Sequence, residues 1–128
     1  MGIMKTFKWS CTVGTNSGYD LSEQRIMSEE EFIGRYQKVA ELIEKKHKVY
    51  ITATITSSRT IYKAEWGCPK EGEFTYTLSG SCNPVFSDVE KYKSALVELI
   101  GELRKEFDQS TLLLEMVPAE VIYDREDK

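Results

Sequence analysis

The 128-residue sequence is poor in the residues that most often announce a mechanism. It holds a single histidine, His47, so two-histidine phosphoesterase chemistry is excluded by count. Three cysteines, Cys11, Cys68 and Cys82, are odd in number and widely spaced. They indicate neither a disulfide framework nor a zinc site, and reduced thiols in a cytoplasmic protein are expected. No metal and no cofactor is expected. Three prolines are present, none near the start, which disfavours a tautomerase built on an N-terminal proline amine. There is no acylphosphatase-like anion loop with its arginine. No run approaches the ~18 apolar residues of a membrane span, and the start lacks the apolar stretch of a signal peptide. A basic excess is also missing. Lys plus Arg is 17 against 21 for Asp plus Glu, a net charge of −4, which argues against general nucleic-acid binding.

What is present is ordinary for a globular protein: 41% hydrophobic and 30% charged residues. One domain over 1–123 and a charged C-terminal tail over 124–128 are expected. Phe7, Trp9, Cys11 and Val13 alternate with Thr6, Lys8, Ser10 and Thr12, the period of a half-buried strand. Ser28-Glu29-Glu30-Glu31 reads as a capping box, and Phe32, Tyr36, Val39, Ala40 and Ile43 follow at helical spacing. Strands are predicted over 49–56, 61–66 and 74–79, with Ser57-Ser58-Arg59 and Pro69-Lys70-Glu71-Gly72 as connections. A second capping box, Ser87-Asp88-Val89-Glu90, opens a helix striped by Tyr92, Leu96, Leu99, Leu103 and Phe107. A strand over 111–117 is ended or marked as an edge by Pro118, and Val121-Ile122-Tyr123 offers a short extra strand. The order is β-α-β-β-β-α-β. It predicts an α+β fold, an antiparallel sheet of about five strands with two helices on one face, a ferredoxin-like variant.

In that arrangement the strands entering the helices are expected to be parallel neighbours. The loops 14–27 and 79–87 would then converge, bringing Asn16, Ser17, Gly18, Tyr19 and Arg25 to Ser81, Cys82 and Asn83 beside two helix N-termini. Amide and hydroxyl groups there suit a small anionic or nucleotide-like ligand. Cys82 precedes a helix, where the dipole can lower a thiol pKa, so a small enzyme using Cys82 is one alternative. His47, at the end of the first helix, reads as a solvated side chain remote from those loops. A second alternative is the sheet face bearing Thr6, Ser10, Thr12, Thr52, Thr54, Thr56, Thr75, Thr77 and Ser79. It is nearly uncharged and suits a second subunit or a host protein.

Lys5-Thr6-Phe7-Lys8-Trp9, Val13-Gly14-Thr15-Asn16 and Ser28-Glu29-Glu30-Glu31 resemble, in their layout, small accessory proteins of bacteriophages and mobile elements. The resemblance implies a protein that counters host defence by binding a signal nucleotide or an enzyme, and it carries over no functional residue. The expected function is therefore non-catalytic binding, more so than catalysis. A homo-oligomer would sequester a nucleotide-like ligand at the loops after the first and fourth strands, with a protein inhibitor or adaptor on the Thr-rich face as the second reading.

Overall fold

In the computed structural model, residues 2–16 and 26–126 are described. The alternating segment at the start forms β1, Met4–Gly14, with Phe7, Trp9, Cys11 and Val13 buried on one side. Ser28 caps α1, Glu29–His47, by accepting a 3.1 Å bond from the Glu31 N–H. The helix ends where Lys48 turns left-handed, with φ 62°, and returns its N–H to Glu44 O. β2 spans Thr54–Thr60 and β3 spans Glu73–Ser81. α2, Val89–Glu106, is followed by β4, Leu114–Val121.

Several local expectations shift. The strand expected over 49–56 starts only at Thr54, and the one expected over 111–117 runs from Leu114 to Val121. Ser57, Ser58 and Arg59 lie inside β2 and pair with Tyr76, Thr75 and Phe74 of β3, so they are strand and not a turn. The 61–66 segment is no strand: it carries one turn of 3-10 helix, Ala64–Trp66, and among the described residues the sheet accordingly has four strands. The second cap moves by one residue, since Asp88 rather than Ser87 accepts from the Lys91 N–H, at 3.0 Å. Pro118 sits within β4, an edge strand, where a missing N–H is tolerated.

The sheet order is β2-β3-β1-β4, with every neighbouring pair antiparallel. This is the α+β, ferredoxin-like arrangement, with both helices on one face. Phe32 is fully buried, with the rings of Tyr76 and Phe107 each 4.6 Å away between centroids. Leu96, Leu99 and Leu103 of α2 complete the layer between helices and sheet. Burial of this apolar surface is the main source of stability. Polar atoms within it are partnered: Trp9 Nε1–H donates to Tyr92 Oη at 2.8 Å, and Tyr36 Oη–H donates to Ile51 O at 2.6 Å. The helices run antiparallel and are clipped at both ends. Arg35 and Lys38 reach Glu106 at 2.7 and 3.0 Å, and Lys46 reaches Glu98 at 2.7 Å.

The pairing of β1 with β3 has a direct consequence for function. Lys8 lies opposite Ser81, and Gly14 lies opposite Thr75. The two strands that feed the helices are antiparallel, correcting the parallel arrangement expected from the sequence. The end of β1 and the end of β3 therefore lie at opposite ends of the sheet.

Candidate functional site

The helix-free face of the sheet is lined by hydroxyls that bond to one another. Thr75, although on this face, is only 3% exposed. Its hydroxyl meets Ser58 Oγ at 2.9 Å and Thr60 Oγ1 at 3.0 Å, while Thr12 and Thr77 pair at 3.1 Å. Mutual pairing leaves this part of the face polar without charge, with Lys8 and Glu115 farther along it, and holds the three strands in one register.

At the end where β1 stops and β3 begins, the face deepens into a groove of about 880 Å³. Thr12, Gly14, Thr60 and Thr75 form its floor. Tyr62 and Trp66, from the β2–β3 connection, make one wall, and Thr111, Leu112 and Leu113, leading into β4, make the other. Among the described residues Glu73 is the only carboxylate lining it. The turn before Glu73 is closed by Gly72, which has φ 79° and donates its N–H to Pro69 O at 2.9 Å. A Cβ on Gly72 would also come within 3.3 Å of Thr60 O, so glycine suits this turn on two grounds.

Glu73 is set against Gly14. A Cβ at Gly14 would collide with Glu73 Oε2 and lie 2.8 Å from Gln109 Oε1. The bare Cα thus lets the carboxylate lie close to the β1 backbone. Burial pushes the Glu73 carboxyl above the usual carboxylate range, and the Tyr62 hydroxyl, donating to Oε1 at 3.3 Å, partly offsets that rise. A partly desolvated carboxylate between aromatic and aliphatic walls is suited to an organic cation, and the indole of Trp66, 64% exposed, offers a flat surface for a ring.

The residues expected to form a site from the sequence are not gathered here as a group. Asn16, just beyond β1, is at the groove end and its carbonyl accepts from Gln109 Nε2 at 2.7 Å. Ser17, Gly18, Tyr19 and Arg25 lie outside the described residues. Ser81 ends β3, with Cys82 and Asn83 just after it, at the opposite end of the sheet. Asn83 organises the turn into α2, accepting from Val85 N through Oδ1 at 3.0 Å. Cys82 is fully buried in the core, and burial, not the helix dipole, dominates its thiol, pushing the pKa up. A thiol so placed is not an activated nucleophile. His47 closes α1 with its Nε2 3.4 Å from Glu98 Oε2, at the end of the sheet away from Gly14. Among the described residues, no cluster of three His, Cys, Asp or Glu side chains is placed to hold a metal, and no helix is long and apolar enough to cross a membrane.

Sequence reasoning missed Glu73, Tyr62 and Trp66. One signal was present: Glu73 shares the alternation of Thr75, Thr77 and Ser79, so it is a carboxylate on an otherwise hydroxyl-bearing run. Tyr62 and Trp66 were hidden by assigning their segment to a strand.

A family model for SAM lyase matches residues 4–124. The chain belongs to the SAM lyase family. Two solved structures share the fold. One is a phage SAM lyase in complex with S-methyl-5'-thioadenosine, 16% identical, with a TM-score of 0.58 over 94% of this chain and 92% of that one. The other is a phage SAM lyase in the apo state, 15% identical, with a TM-score of 0.58 over 96% and 94% of the two chains. No curated protein matches the chain. The layout resemblance to small phage proteins holds, since both neighbours come from phage. The non-catalytic function expected from the sequence does not. A lyase is an enzyme, so membership in this family overturns the sequestering, anti-defence reading and the inhibitor or adaptor reading together. The small molecule in the first neighbour's complex is a nucleoside.

Proposed function

We propose that the protein is a lyase that degrades S-adenosylmethionine, and that the groove around Glu73 is its active site. Membership in the SAM lyase family over residues 4–124 carries the reading. The chemistry of the groove supports it. S-adenosylmethionine is a cation at sulfur, with an ammonium on its amino-acid arm and an adenine ring. The Glu73 carboxylate offers the charge such a molecule seeks, Trp66 and Tyr62 offer aromatic surface, and the Leu112–Leu113 side offers apolar contact. S-methyl-5'-thioadenosine, named in the first neighbour's complex, is S-adenosylmethionine without its four-carbon amino-acid arm. Release of that product breaks the bond between sulfur and the arm's γ-carbon, with the electron pair going to sulfur while an oxygen of the arm's own carboxylate closes on that carbon, so the arm leaves as a lactone. The positive charge on sulfur disappears as the bond breaks. Apolar walls that exclude water favour that loss of charge, while Glu73 holds the arm by its ammonium.

The test is direct. Purified protein incubated with S-adenosylmethionine should yield S-methyl-5'-thioadenosine, detected by chromatography and mass spectrometry. Glu73→Gln should remove most of that turnover while the melting temperature is retained. Intact S-adenosylmethionine after prolonged incubation with folded wild-type protein would overturn the reading.

A further inference from the structure

Gln109 stands behind the groove and is held from three directions. α2 ends with Asp108 at φ 50°, and the Gln109 N–H returns to Arg104 O at 2.9 Å, a bond spanning five residues that pins the Gln109 backbone to the helix end. Its Nε2 then donates to Asn16 O at 2.7 Å and to Phe107 O at 3.0 Å. Both amide hydrogens are therefore committed, which fixes the orientation of the carboxamide. Oε1 has to point the other way, and it does: it lies 2.8 Å from the point a Gly14 Cβ would occupy, the same point that Glu73 Oε2 crowds. Two acceptor oxygens from different elements thus converge over one bare Cα at the edge of the groove. Gly14 has no side chain to fill the corner.

We propose that Gln109 is a specificity-determining residue, its Oε1 joining Glu73 Oε2 to form a two-oxygen corner that accepts N–H donors from a substrate's primary ammonium. The inference rests on the proposed function, and it adds what selects the amino-acid arm. A lone carboxylate attracts any cation. A fixed amide oxygen beside it rewards a group with several N–H donors in defined directions, and penalises a ligand that leaves both oxygens unpaired. The amide also brings no second negative charge next to Glu73.

The experiment compares two ligands that differ in that arm and need no turnover. S-adenosylhomocysteine carries the ammonium, and S-methyl-5'-thioadenosine lacks it. Calorimetric titration of Gln109→Met should show affinity for S-adenosylhomocysteine falling about tenfold, a difference of about 1.4 kcal/mol, with S-methyl-5'-thioadenosine changed less than twofold. Because Gln109 also tethers Asn16, a second variant leaves the Gln109 residue itself unchanged. Gly14→Ala fills the corner and should show the same selective loss. Equal losses for both ligands, or no loss in either variant, would overturn the inference. Turnover of S-adenosylmethionine with a Gln109→Met variant indistinguishable from wild type sinks this inference alone. Gln109-dependent binding of S-adenosylhomocysteine without turnover sinks only the proposed function. Wild-type protein that binds neither ligand and turns nothing over sinks both.

Discussion

The two faces of the sheet are built on different principles. The covered face is held by apolar burial beneath two helices, and its polar atoms are few and paired deep inside. The open face has little apolar floor. Thr12, Ser58, Thr60, Thr75 and Thr77 satisfy one another's hydroxyls across three strands, and one carboxylate, Glu73, interrupts them where β1 stops. The first arrangement stabilises the fold. The second leaves a polar surface with few charges, Lys8 and Glu115 toward β4 and Glu73 in the groove, so each of them counts for much. The two regions should therefore respond to substitution in different observables.

The largest expected effect lies on the covered face. Phe32→Ala removes a fully buried ring packed between Tyr76 and Phe107 and should cost about 3–5 kcal/mol in urea unfolding. Turnover per folded molecule should stay near that of wild type. A large loss of activity at full foldedness would break the division between the faces. Glu73→Gln should do the reverse. Turnover should drop by roughly 10²–10³-fold, the scale seen when one charge-stabilising group leaves an active site, while the urea midpoint is unchanged or raised. A rise has a physical basis, because burial disfavours the ionised Glu73 in the folded state.

Smaller effects sharpen the contrast. Arg35 joins the helices by donating to Glu106 Oε2 at 2.7 Å and to the Glu106 carbonyl. Arg35→Met should cost about 1–3 kcal/mol near neutral pH. Partial burial acts to raise the Glu106 carboxyl, but bonds from Arg35 and Lys38 outweigh it and hold the pKa below the usual value. A depressed carboxylate stabilises the fold above its unfolded pKa, and that contribution is lost as pH falls through the folded value. The gap between wild type and Arg35→Met should thus narrow in acid, as read by thermal melts across pH. A gap that stays constant would remove Glu106 from the explanation. The smallest effect is a shift. Tyr62→Phe deletes the donor that holds the Glu73 pKa down, so the acid limb of kcat/KM should move to higher pH. An unmoved limb would mean that Tyr62 contributes only surface to the groove.

Much of the covered face was legible from periodicity. The alternation of Phe7, Trp9, Cys11 and Val13 and the stripes from Phe32 to Ile43 and from Tyr92 to Phe107 are local signals, and the core is assembled from them. The Ser28 cap was equally local. The site was not legible, for two reasons. Assigning 61–66 to a strand put Tyr62 and Trp66 in a sheet instead of on a groove wall. Taking β1 and β3 as parallel brought Asn16 and Asn83 together, whereas the antiparallel register places them at opposite ends.

By itself the sequence determined the two helices and the first strand and which side of each is apolar, because burial is read from spacings of two and of three to four along the chain. It also determined what the chain lacks: with one histidine and scattered cysteines, chemistry had to rest elsewhere. Only the tertiary structure decided strand order and direction, and with them the meeting of Gly14, Glu73 and Gln109. These three are separated by 59 and 36 residues (73 − 14 and 109 − 73) and belong to no shared pattern. Their proximity follows from the pairing of β1 with β3 and from the left-handed turn that ends α2. Strand direction is a long-range choice settled by how the two helices pack across one sheet, and no local spacing encodes it.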